Sequence, residues 1–141
     1  MESTLPKPTQ RHTSHSPQIV IGFWIVTALF CLEMIFTAYY ELMRLPQAAQ
    51  AFTRLGFPAP SFRVELSWAK VAGVVALLVP VVPARLKEWA YAGFALNLAS
   101  ALIAHLSLGD RPPALALSTI TSVLWGLSYG FWRRLQTAER G

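Results

Sequence analysis

Fourteen consecutive residues from Ile19 to Leu32 (IVIGFWIVTALFCL) carry no charge, and three further long apolar segments follow in a chain of only 141 residues. The first segment extends to Met43, and the others run over Phe62–Val82, Ala84–Ser107 and Pro113–Trp132. Each has roughly 20–25 residues, enough at 1.5 Å per residue to cross about 30 Å of hydrocarbon. A soluble bundle with four such helices would need polar surface that this chain lacks. It is 54% hydrophobic and 13% charged, about half the charge of an ordinary soluble domain. Segments in lipid must satisfy their own backbone groups, which makes them helices. The expected fold is therefore all-α: a transmembrane four-helix bundle over residues 18–133. A disordered tail (1–17) is expected before it and a cytoplasmic tail (134–141) after it.

The connections carry ordinary helix punctuation. Pro80 and Pro83 close the second segment and leave a tight hairpin to the third. Gly109 and Asp110 end the third, and Pro112 and Pro113 suit the first turn of the fourth. The first connection is longer. From Pro46 it places Leu45, Ala48, Phe52 and Leu55 on one face before Gly56, the pattern of a short amphipathic helix on the membrane surface.

The net charge of +5 would suggest nucleic acid on a soluble domain. Here the basic residues flank apolar runs, so they are topology signals, and the bilayer rather than nucleic acid is the expected partner. The side holding both tails and the hairpin has seven of the twelve Lys and Arg, and the opposite side has Arg44, Arg54, Arg63 and Arg111. That excess places both termini in the cytoplasm, the membrane being most simply the bacterial cytoplasmic one. The single cysteine, Cys31, excludes a self-contained dithiol oxidoreductase. No phosphate-binding glycine loop, zinc-ligand cluster or nucleophile elbow is present. His12 and His15 stand in the tail without suitable neighbours, so no metal site is expected.

Ionisable groups inside spans are the main functional pointers, because each costs at least ~2.5 kcal/mol at the centre of the bilayer when unpaired. Counted from the outer helix ends at helical rise, Glu33 and Asn97 lie about 15 Å deep, and Lys70, Thr121 and Ser122 about 12–14 Å. All four segments thus place a polar group at one depth. Glu33 and Lys70 are the expected ion pair of that layer. Glu33, Thr37 and Tyr40 share one face, as do Asn97, Ala101 and His105, and Ser118, Ser122, Trp125 and Tyr129. Tyr40, Glu41, Glu65, His105, Asp110 and Arg111 lie nearer the outer surface, Glu41 and Glu65 as solvated groups. The expectation is a small cavity open to the outside, charged at its mouth and aromatic below. Glu33, Lys70 and His105 are its candidate catalytic groups. Tyr40, Glu65, Asn97, Asp110, Ser122 and Trp125 are its candidate ligand contacts. Ala69, Ala72, Gly73 and Ala76 give the second segment a thin face, and Gly126 and Gly130 form a GxxxG expected to pack within the bundle. Trp24, Trp68, Trp89, Trp132 and Tyr91 are the expected aromatic belt.

The stretch Glu65-Leu66-Ser67-Trp68-Ala69-Lys70-Val71-Ala72-Gly73, with Leu77-Leu78-Val79-Pro80 after it, resembles the second helix of DoxX-like membrane proteins. So do Leu86-Lys87-Glu88-Trp89-Ala90-Tyr91-Ala92-Gly93-Phe94, then Ala104-His105 and Gly109-Asp110, and the turn Leu55-Gly56-Phe57-Pro58. The resemblance covers roughly residues 20–133. It implies a small four-helix membrane protein with Glu65, Lys70, Glu88, His105 and Asp110 at the family's positions. It also implies a link with membrane redox assemblies or with the handling of other membrane proteins.

Two functions follow. One is a non-enzymatic subunit that binds a lipophilic molecule (a quinone or a lipid) or a protein partner, within a redox assembly. The residues themselves indicate no cofactor, and quinone is the one the resemblance suggests. The other is a membrane enzyme performing acid–base chemistry on a lipophilic substrate, as isomerase, cyclase or epoxide-opening enzyme, with Glu33, Lys70, Asn97 and His105.

Overall fold

The computed structural model describes residues 16–43, 46–54, 56 and 60–140, apart from the side chains of residues 47, 48, 51 and 140. Among them are five helices: α1 (Pro17–Leu42), α2 (Pro46–Arg54), α3 (Pro60–Leu78), α4 (Ala84–Leu108) and α5 (Pro112–Arg140). The tail residues His12, His15, Lys7 and Arg11 lie outside the described residues. So do Arg44, Leu45, Leu55, Phe57 and Pro58 of the first connection. Among the described residues, three helices are long and apolar enough to cross a membrane: α1, α4, and α5 over Pro112–Glu139. The 19-residue α3 is not one of the three, and Arg63, Glu65 and Lys70 are the charges it carries.

Local chemistry sets most helix ends. Pro17 sits in the first turn of α1, where its missing N–H is harmless. Helix α3 stops at Leu78, earlier than Val82, because Pro80 disfavours helical backbone at the residue before it. Gly109 ends α4 at φ +63°. There the Gly109 N–H donates to the Leu106 carbonyl at 3.3 Å and the Asp110 N–H to that of His105 at 3.1 Å. This is a closing geometry open to glycine. Helix α5 begins at Pro112 and continues through Arg140. Residues 134–140 continue this helix, for nothing in LQTAER breaks one.

Helix α1 packs against α3 and α5, and α4 closes the ring between them. The buried positions of α1 are Phe23, Thr27, Phe30, Cys31, Met34, Ala38 and Glu41, the three- and four-residue spacing of one helix face. The facing stripe of α3 is Arg63, Ser67, Lys70, Val74 and Leu77. The core is built on Phe30, whose ring meets that of Phe94 edge-on at 5.1 Å. Gly73 belongs to this contact: a Cβ there would lie 2.7 Å from the tip of Phe94.

Three expectations change. The inward face of α1 is offset from Glu33–Thr37–Tyr40, so Tyr40 points outward and Glu41 is buried. Trp132 and Tyr91 are core residues, whereas Trp24, Trp68 and Trp89 are exposed, as a belt requires. Gly126 and Gly130 are exposed, with nothing near the Cβ either would gain, so this GxxxG does not pack the bundle.

Candidate functional site

The charged residues of α3 are sorted by helix register. Arg63, Ser67 and Lys70 fall on the face toward α1, and Glu65 on the exposed side. Glu41, in the last turn of α1, meets that face. Its Oε1 accepts from Lys70 Nζ at 2.6 Å and its Oε2 from Ser67 Oγ at 3.0 Å. Ser67 also lies within hydrogen-bonding reach of the Arg63 carbonyl, at 2.8 Å. Glu41 and Lys70 are each 7% exposed. The expected Glu33–Lys70 pair is therefore replaced by Glu41–Lys70, and Glu41 is not solvated. The physical reason is register: Glu41 continues the Met34–Ala38 face of α1, whereas Glu33 sits at its edge.

Glu33 is half-buried beside Thr121 and within the field of Lys70, with its Oε2 atom buried and without a hydrogen-bond partner. The Thr121 hydroxyl donates to the Leu117 carbonyl at 2.9 Å, and that of Ser122 to Ser118 at 2.8 Å. These back-bonds commit the proton of each hydroxyl to a carbonyl of α5.

Lys70 also borders a space toward α4. A groove of about 440 Å³ runs between α3 and α4. Ala69, Ala72, Gly73 and Ala76 line one wall, Leu86, Trp89, Ala90 and Gly93 the other, with Lys70 and Asn97 as its polar members. Because the helices are antiparallel neighbours, Lys70 and Asn97 stand toward the same end and Ala76 and Leu86 toward the other. The small residues expected to form a thin face thus form one side of this groove, where Gly73 is covered by Phe94.

At the α2 end of the molecule, Asp110 joins three elements. Its Oδ1 accepts from Arg54 Nη2 at 2.6 Å, and its Oδ2 lies 2.8 Å from His105 Nδ1. The His105 contact and the Arg54 guanidinium hold the Asp110 carboxyl below the usual carboxylate range. A second cavity, about 610 Å³, is bounded here by Arg54, His105, Leu108, Asp110 and Arg111. The expectation was a charged cavity mouth with Tyr40, Glu65 and aromatic walls; among the described residues this cavity has the charges but none of those. An aromatic group of α4 and α5 lies toward the opposite end. Trp125 stacks on Tyr129 at 5.8 Å and donates to the Tyr91 carbonyl at 3.0 Å. The Tyr91 and Thr27 hydroxyls lie 2.8 and 2.7 Å from the Ser128 hydroxyl, linking α4, α1 and α5. Trp125 is thus a packing residue beside a closed hydroxyl chain.

Of the nine candidate residues, the structure brings Lys70 and Asn97 to one groove and His105 and Asp110 to one cavity. It leaves Glu33, Tyr40, Glu65, Ser122 and Trp125 apart from both. Sequence reasoning missed Glu41 and Ser67 as partners of Lys70, Arg63 as a buried cation, and Arg54 as the partner of Asp110. The Arg63–Ser67–Lys70 spacing was the available signal for the first group; no spacing marks the pairing of Arg54 with Asp110.

Among family models, that of the DoxX-like family matches residues 25–128, from the first turns of α1 to the middle of α5. No curated protein and no solved structure matches the chain. The matched region holds every element that builds the groove and the Asp110 cluster. The chain belongs to the DoxX-like family.

Proposed function

We propose that this protein is a non-enzymatic membrane subunit that holds a lipophilic molecule, a quinone or a lipid, in the groove between α3 and α4. Helix α3 serves as a fourth span: 19 residues reach about 28 Å at helical rise, with Arg63 and Lys70 turned toward α1 rather than lipid. Both termini then lie on one side, the cytoplasmic one by the distribution of Lys and Arg. The observation that carries the reading is the groove itself. Its 440 Å³ falls within the usual range of ligand sites. Its side of alanines and glycines accepts a flat ring or an acyl chain. Its polar end offers the Asn97 amide, with Lys70 lining the groove beside it. Such a donor suits a carbonyl-bearing head on an apolar tail. The setting is a membrane redox assembly when the occupant is a quinone.

Mass spectrometry of small molecules retained by detergent-purified protein tests this. A retained quinone or lipid, lost from Ala76→Trp and Gly93→Trp variants that fold normally, is the expected result. Retention unchanged by both tryptophans would sink the reading.

One observation favours a second reading, acid–base catalysis on a lipophilic substrate: the buried Glu33 Oε2 atom that lacks a partner. It requires turnover that Glu33→Gln abolishes in a folded protein. The distribution of Asn97 and His105 between two separate cavities weighs against a single catalytic centre made of all four residues.

A further inference from the structure

The α1–α3 interface buries two cations and one anion. Lys70 and Glu41 neutralise each other at 2.6 Å. Arg63 is left over. Its side chain lies on the same face two turns away and is only 7% exposed. Its Nε atom is buried without a hydrogen-bond partner, and among the described residues no carboxylate forms an ion pair with it. Glu65, two residues along, faces the exposed side of the helix. A guanidinium this far withdrawn from water, with its Nε fully buried, favours an acceptor at the terminal nitrogens that remain accessible, since a poorly compensated buried charge is unfavourable in a fold.

We propose that Arg63 is the anchor of a phosphate-oxyanion site at the α2 end of the α1–α3 interface. The guanidinium fork matches two oxygens of a phosphate group. Arg63 stands in the first turn of α3, which starts at Pro60. The backbone N–H groups of that turn have no acceptor within the helix, and the helix dipole is positive there. Fork and helix end thus favour the same charge. The position is at a helix end, the level at which phospholipid phosphates stand when α3 spans the bilayer. The same chemistry would also accept free phosphate. The site is separate from the α3–α4 groove, so an empty groove leaves it standing.

The test is thermal unfolding of the full chain in a neutral detergent at constant ionic strength. Phosphatidylglycerol, phosphatidylcholine and inorganic phosphate are added in separate titrations. A melting temperature raised by phosphatidylglycerol more than by phosphatidylcholine, with no response to phosphate, identifies a lipid headgroup. A rise with inorganic phosphate as well identifies the free anion. Both results require that R63Q lose the response. The proposal is overturned if neither anion shifts the wild-type protein, or if R63Q shifts as far as wild type does. Should R63Q fail to accumulate, R63K replaces it. Loss of the two-point fork is expected to raise the half-maximal concentration by about tenfold, and an unchanged value overturns the proposal.

Discussion

At the scale of single residues, Lys70 shows how a buried charge is tolerated and what its loss does. Its ammonium and the Glu41 carboxylate are held at 2.6 Å with little water nearby. Removing one partner strands the other, at a cost of about 3–5 kcal/mol for a buried pair. Lys70→Met alone is expected to lower stability by that order in chemical unfolding of the purified protein. Lys70→Met combined with Glu41→Leu should recover most of the loss, because an apolar pair removes the desolvation penalty altogether. Two single losses that simply add would show that the residues act independently. The pairing also shows where sequence reasoning stops. Lys70 announces itself as a cation deep in an apolar segment. Glu41 does not, because its place near the end of α1 looks like a wet one. The discriminating information is rotational: whether the inward face of α1 passes through 34, 38 and 41 or through 33, 37 and 40. Both faces carry apolar and polar residues, and contact with α3 decides between them.

At the scale of elements, two joints are under specific control. The first is the approach of α3 to α4. Gly73 lies beneath the Phe94 ring, which is itself held edge-on by Phe30. Gly73→Ala puts a methyl group 2.7 Å from that ring, and overpacking of this kind costs about 1–3 kcal/mol. Phe94→Leu in the same chain should return part of that stability, which a double-mutant comparison of unfolding midpoints would reveal. The second joint fastens α2 to the α4–α5 turn through Arg54, Asp110 and His105. Asp110 has a lowered pKa in the folded protein. Its contribution is therefore complete above the ordinary aspartate value of about 3.9 and fades as the pH falls through the lower folded value. Hydrogen exchange of the α2 amides, after correction for intrinsic rates, should accelerate as the pH falls below about 4. Asp110→Asn should show the faster exchange throughout. Helix α2 was legible from Pro46, Phe52 and Gly56. The partner of Arg54 was not, since the two residues of that pair lie 56 positions apart and on different elements.

At the scale of the whole molecule, the number of crossings decides where every site faces. The count of apolar segments and the prolines and glycines between them made the helices legible, because proline interrupts a helix and glycine readily takes the left-handed conformation that closes one. The ambiguous element is α3, whose three charges remove it from any ranking by hydropathy alone. Its register supplies the missing argument. Two of those charges face α1, and the third stands in the second turn. A lipid-facing side of α3 would therefore meet only part of the cost. Four crossings put both ends of the chain on one side, and three put them on opposite sides. The native protein offers a quiet background for deciding this, since its single cysteine, Cys31, is buried in α1. Ser3→Cys, Thr53→Cys and Thr137→Cys, made one at a time, can be labelled on intact bacterial cells with a membrane-impermeant maleimide. Thr53→Cys should react from outside, and Ser3→Cys and Thr137→Cys only after permeabilisation. Reaction of one terminal cysteine but not the other on intact cells would mean that α3 does not cross. Arg63 and the Asp110 cluster would then lie on opposite faces of the membrane, although α2 joins α1 and α3 within a few residues of one and binds the other. That geometric conflict is the strongest structural reason to expect four.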